Sequence, residues 1–534
     1  MIWFLRDIDL LSELLRAATL SFEALLLGGV AYLLFVARPA RASAAVEGFC
    51  RRGIRAAAVA LIFAEAASVA ASCAVLMSGS DMSLRGLATT GFFLAGSLAI
   101  LLALALAICA RSKSNNATVA MLPIGFLLLG AAVATSHAVA RIDHRVLLTI
   151  FTAGHHLGTA AWVGAMPFLL ISLGRAENAD EARRMVRLYS RMALISAAIL
   201  ILAGVGLAWF YVASWNGLYG TTYGVLLLAK IYLLLVLAAL GAGNWLLGRR
   251  LDRDPEPLLA QLRRVAEAEI GLGFIAILAA ASLTAQPPSV DVTGQDRLTP
   301  HEIYARMHPE PPRMTTPPAS ALAPATSMAV AIRDSEFKPM AASDINDREW
   351  SEYNHHWAGL VVLIAGVLAF LSRLRSLRWA RFWPLSFAGL AVFILLRADP
   401  ENWPIGPRPF WESFSAPDVL QHRLAALLIL LFAIFECAVQ AGKLRARWAR
   451  LVFPAMCVLG AAVLLTHDHV VKDVKEELLA EMSHTPIALM GVTAGWGRWL
   501  ELRLPKGRMA RIAGYLWPLC LALAGLILLN YREI

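Results

Sequence analysis

Apolar runs of the length a helix needs to cross a bilayer, about 20 residues, recur from one end of this 534-residue chain to the other. In hydrocarbon every backbone N–H and C=O must be satisfied within the protein, which leaves helices or a closed barrel. The runs are continuous rather than alternating, and a barrel strand alternates. Charged residues make up 16% of the chain, against about 25% in soluble domains. The expected fold class is all-α: a polytopic helical membrane protein of about 14 transmembrane helices in two bundles.

The expected spans start near Leu10, Gly53, Gly86, Val119, Leu147, Arg191, Tyr223 and Val265, and then near His355, Arg381, Val419, Ala449, Thr485 and Ile512. Basic residues gather in alternate short loops, among them Arg38 and Arg41, Arg111 and Lys113, Arg183 and Arg184, Arg249 and Arg250, Arg373 and Arg375, Lys443 and Arg445, and Arg503 and Lys506. Cytoplasmic loops carry such an excess, so both termini are expected to face outward. The net charge of +10 is then accounted for by these loops, and no nucleic acid partner is expected. The first residues, "MIWFLRDIDLLSELLR", lack a basic leader and a small-residue cleavage site, so no removed signal peptide is expected.

Three regions follow: a membrane domain over 1–285, a Pro- and Met-rich outer loop over 286–354, and a six-helix membrane domain over 355–534. In the loop, "PHEIYARMHPEPPRMTTPP" is too rich in Pro for helix or central strand, while "SMAVAIRDSEF" is compatible with a short strand. Its Met307, Met314 and Met328 sit in a polar setting that core packing does not explain.

With this topology all twelve histidines fall on the outer side or in the outer half of a span. His137 precedes the fifth span, and His155 and His156 lie inside it. His355 and His356 open the ninth, His422 the eleventh and His484 the thirteenth, while His467 and His469 close the twelfth. Imidazole is the commonest protein ligand for transition metals, and the set as a whole points to metal. Cys73 and Met77 stand one helical turn apart near the outer end of the second span; they serve equally as soft ligands for Cu(I) or as ordinary packing residues. The six cysteines are scattered singly, without paired spacing, so neither a disulfide framework nor a zinc ribbon is expected. Glu23, Glu65 and Lys230 are further ionisable groups inside spans, where they either pair structurally or form a proton or cation path. A phosphate loop is absent from the sequence, so no nucleotide partner is expected.

A longer stretch carries a family resemblance. The segments "HHLGTAAWVGAMPFLL", "YSRMALISAAILILAGVGLAW", "TTYGVLLLAKIYLLLVLAALGAGN" and "AEAEIGLGFIAILAAASLTAQPPSVD" resemble, in order and spacing, the bacterial copper-resistance protein D family over roughly residues 147–291. The family's His and Trp-Val-Gly fall on His155, Trp162, Val163 and Gly164; its Tyr-Gly and Lys fall on Tyr223, Gly224 and Lys230, and the following Asn on Asn244. The Gly that usually follows Trp-Val-Gly is Ala165 here. The resemblance implies an inner-membrane protein of copper resistance or uptake that works with a periplasmic copper-binding protein; no enzyme activity is expected, a redox role being the alternative.

The second block lies outside the resemblance. Its outer-end imidazoles, His355, His356, His422, His467, His469 and His484, suit either a metal ion or a haem b held between two helices. The chain is therefore expected to bind copper ions at the periplasmic side, through these residues together with His155, His156, His137, Cys73 and Met77. The alternative is a haem b-containing transmembrane redox protein, one that reduces copper.

Overall fold

The computed structural model describes residues 8–79, 83–251, 255–317, 342–374, 376–399, 402–413, 417–465 and 474–532. Its long helices coincide with the expected apolar segments. They are α1 (Ile8–Tyr32), α2 (Ala44–Gly79), α3 (Gly91–Cys109), α4 (Asn115–Ala134), α5 (Arg145–Leu173), α6 (Ala179–Tyr211), α7 (Thr222–Arg249) and α8 (Pro255–Ala285). After these come α9 (Ala342–Leu371), α10 (Leu385–Arg397), α11 (Pro417–Gln440), α12 (Val452–Leu465), α13 (Val474–Arg503) and α14 (Arg508–Leu529). No strand occurs among the described residues, which show one isolated bridge between Asn402 and Arg408. The strand expected within residues 327–337 lies outside them, as does Met328.

Eleven of these helices are long and apolar enough to cross a membrane. The shortfall from the expected number has three sources. Helix α10 has 13 residues, about 20 Å of rise, and follows a tight 3₁₀ turn at Arg378–Phe382. Helix α12 has 14 described residues. Helix α13 is long, but Glu476, Glu477 and Glu481 at one end and Arg498 and Glu501 at the other confine its apolar part to the middle.

Polar side chains fix where helices begin. Ser114, Asn178 and Thr221 each accept a hydrogen bond from a backbone N–H in the first turn of α4, α6 and α7, satisfying donors that the helix itself cannot. Packing within the membrane then relies on close backbone approach. Helices α1 and α5 meet at Gly28 and Gly164: a Cβ on Gly164 would run into the Ala24 carbonyl, and one on Gly28 into the Gly164 backbone. There α5 widens into a π-turn at Ala160–Gly164.

The described residues divide into two compact units, the first running to Arg297 and the second beginning at Leu298. The loop expected over residues 286–354 is therefore divided between them. Residues 286–297 fold onto the first unit, where Arg297 donates to the Ser289 carbonyl at 2.7 Å. Against the expectation that the loop's prolines exclude helix, Pro300–Met307 in the second unit form a short helix. Pro300 stands at the first helical position, where no N–H is needed, and a capping box between Thr299 and Glu302 closes it. The core of that unit is aromatic: Trp383, Phe453 and Trp517 are all buried and in mutual ring contact.

Candidate functional site

In the first unit the polar residues of the spans collect around α5. His156 Nδ1 lies 3.2 Å from Glu23 Oε1 on α1, with both side chains largely buried. His155, one residue earlier, faces α6 instead. A Cβ on Gly204 would sit 3.5 Å from the His155 ring, and the buried His155 Nδ1 has no hydrogen-bond partner. Lys230, from α7, lies within electrostatic range of His155. Glu65 on α2 stands within range of Arg16 and Glu23 on α1. Glu23 thus takes part in a pairing, and its partner is His156 rather than Lys230.

One to two turns further along α5, at the π-turn, a second polar group is packed away from water. Trp162 Nε1 donates to Glu269 Oε1 at 3.0 Å, and Asn244 Nδ2 donates to Glu269 Oε2 at 2.6 Å. The Tyr189 hydroxyl donates to the Trp162 carbonyl at 2.7 Å. Glu269 is 2% exposed. One buried carboxylate therefore ties together α5, α7 and α8, while Tyr189 adds α6. Glu269 was missed in reading the sequence, although "RRVAEAEIGLGF" carries a signal: a carboxylate that continues past the basic turn into an apolar run.

The other expected ligands of this unit lie apart from His155. His137 Nε2 is bonded to the Thr284 carbonyl at 2.8 Å and borders a cleft of about 380 Å³ with Arg141, Asp143 and Pro288. Cys73 is half-buried and Met77 is 48% exposed on α2, which packs against α1 and α3. Arg141 closes this end of the unit through an ion pair with Asp291.

In the second unit His355 and His484 are in edge-on ring contact, with centroids 6.4 Å apart, and Tyr531 stacks on His355 at 4.1 Å. His355 Nδ1 is turned back to the Ser351 carbonyl at 2.8 Å, which leaves Nε2 pointing elsewhere. His356 is fully engaged: Nδ1 accepts from the Arg313 backbone N–H and Nε2 donates to the Tyr531 carbonyl, both at 2.7 Å. In this arrangement neither nitrogen of His356 is open to a metal, because both are already closing the packing of the loop against α9 and the chain end. His422 Nδ1 pairs with Asp399 at 2.9 Å. His467 and His469 lie outside the described residues. Among the described residues, no group of three or more His, Cys, Asp or Glu side chains is close enough to hold a metal ion.

A family model described as copper resistance protein D matches residues 183–283, a stretch holding most of α6, all of α7 and most of α8. It lies within the stretch whose resemblance the sequence had shown, and it contains Lys230, Asn244 and Glu269. The copper transport protein CutJ of Bacillus subtilis (strain 168) is 28% identical over 165 residues, which cover 30% of this chain and 29% of that protein. The chain thus matches well under two thirds of its relative's length. No solved structure matches.

Proposed function

We propose that this chain handles copper in the bacterial inner membrane, taking ions from the periplasmic side and passing or holding them within the first unit. The observation that carries this reading is the overlap of the copper resistance protein D match, residues 183–283, with the helices that supply Lys230, Asn244 and Glu269. These helices face His155 and Trp162 of α5. Ionisable groups are costly in a bilayer and mark ion or proton routes when they occur there.

Copper here is cargo, not a resident cofactor. The imidazoles and sulfur side chains are dispersed, so an ion meets them one or two at a time, first at His137 by the outer cleft and then at the buried, unpartnered His155 Nδ1. Exchange between successive weak sites is what movement requires, since a closed cage of ligands would retain the ion. Both termini and the outer loop face the periplasm in this reading, where a copper-binding protein delivers the ion. No bond of a substrate is made or broken.

The test is copper accumulation by cells expressing wild type or His155→Ala at equal membrane levels. The variant is expected to lose most copper-dependent accumulation. Normal accumulation by the variant would show that His155 is a packing residue and overturn the route. A second reading, haem b held by His355 and His484, rests on the ring contact of those two residues. Purified protein expressed with ample haem would then show a reducible Soret band, and its absence removes that reading.

A further inference from the structure

We propose that Glu269 is a proton-binding site within the membrane and that the Asn244 amide is built to satisfy it in both protonation states. Proton binding itself stands on the geometry below; its use, the exchange of a proton against copper passage, rests on the copper reading above.

Glu269 is buried on α8, a helix that packs against α1, α5 and α7. Its two polar partners, Trp162 and Asn244, are both neutral. The charged and titratable groups on the surrounding elements are engaged elsewhere or distant. On α1, Glu23 pairs with His156, Glu13 accepts from Ser282, and Arg16 stands within range of Glu65. On α5, His155 and His156 stand one to two turns from Trp162. Lys230 on α7 is about 21 Å along the helix from Asn244. On α6, the Tyr189 hydroxyl is committed to the Trp162 carbonyl. On α8 itself, Glu267 pairs with Arg264 at 2.7 Å. No cation forms an ion pair with Glu269 among the described residues. A carboxylate buried without a counter-charge is expensive, and this expense ends when it binds a proton or when a cation arrives.

The partners accommodate both cases. The ionised form accepts from Trp162 Nε1 and Asn244 Nδ2. The protonated form has an O–H that must find an acceptor, and Trp162 offers none. Asn244 Oδ1 is buried and has no hydrogen-bond partner. Half a turn of the amide places Oδ1 where Nδ2 stood, ready to accept the Glu269 O–H. The 2.6 Å separation is ordinary for O–H···O and short for N–H···O. Gly241, one turn from Asn244, leaves the carboxyl its room: a Cβ there would lie 3.2 Å from Glu269 Oε1. Leu at position 244 would supply neither role, and Asp would supply no N–H donor.

The test uses the full chain, purified and reconstituted in lipid nanodiscs in metal-free buffer with a chelator. Infrared difference spectra are recorded across a pH titration in H₂O and D₂O. Wild type is expected to show a protonated-carboxyl C=O band that titrates, shifts in D₂O and is lost in Glu269→Gln. In Asn244→Leu the band is expected to move in frequency, with a titration midpoint displaced by at least tenfold in proton concentration. If Glu269→Gln does not fold, Glu269→Asp carries the test by a shifted band. An unchanged spectrum in the Glu269 variant overturns the proton site, and an unchanged midpoint in Asn244→Leu overturns the amide's role. Copper flux under an imposed pH gradient is measured separately. Flux indifferent to the gradient, with the band assigned to Glu269, removes the exchange with copper and leaves the proton site standing.

Discussion

Trp162 and Glu269, 107 positions apart in the chain, meet through an indole N–H donated to a buried carboxylate at 3.0 Å. The bond joins the π-turn of α5 to the middle of α8, and it gives the Trp of the Trp-Val-Gly segment a definite task. Trp162→Phe keeps the ring packing and the backbone carbonyl that Tyr189 uses, but it leaves Glu269 Oε1 without its donor. The variant is expected to lose about 1–3 kcal/mol of stability, read as a lower unfolding temperature of the purified protein in detergent. An unchanged temperature would mean that the bond contributes nothing to folding.

Close contact between α1 and α5 predicts a sharp contrast between glycines. Gly164→Ala places a methyl against the Ala24 carbonyl, whereas Gly243, on α7, has nothing within 4 Å of an added Cβ. Overpacking of a tight contact typically costs about 1–3 kcal/mol. Gly243→Ala is instead expected to be neutral, or stabilising by up to about 1 kcal/mol through helix propensity. Yield of monodisperse protein and thermal unfolding compare the two; equal behaviour would refute the contact.

His156 and Glu23 form a cross-helix pair at 3.2 Å, which predicts non-additivity. His156→Ala and Glu23→Ala should each destabilise the protein, with the double variant costing less than their sum by about 0.5–3 kcal/mol. A double-mutant cycle on thermal or denaturant unfolding measures this. Additive losses would show that the two residues act separately.

Acid should loosen the short helix Pro300–Met307. The Glu302 carboxyl is held down to about 2 by the Thr299 backbone N–H, the Lys475 ammonium and the Thr299 hydroxyl. A carboxylate whose folded value lies below its unfolded value stabilises the fold above the unfolded value, ordinarily about 4.3. That contribution is lost as pH falls from there through about 2. Pepsin cleavage near Tyr304 is therefore expected to accelerate over this window in wild type. In Glu302→Gln, which keeps a capping side chain but no titrating charge, it should not vary over this window, relative to a cleavage site elsewhere in the chain. Parallel profiles for the two proteins would show that the capping box does not respond to pH.

The sequence by itself determined the solvent this chain folds in and the helices it forms there. Run length and the ban on unsatisfied backbone groups in hydrocarbon are local properties, so the positions of α1 to α9, α11 and α14 were legible. The reach of α10 and α13 was less so, because a 3₁₀ turn and charged helix ends shorten an apolar stretch in ways that an average over residues hides. The importance of the His155–Trp162 segment could also be read, since imidazoles in a span require partners.

Which partner each one takes was decided only by tertiary structure. A helix presents adjacent residues about 100° apart, so His155 faces Gly204 of α6 while its neighbour His156 meets Glu23 of α1. Likewise, nothing local marks Glu269 as the partner of Trp162 and Asn244. That assignment depends on how far α5, α7 and α8 slide and rotate against one another, which is set by where small residues let the backbones touch.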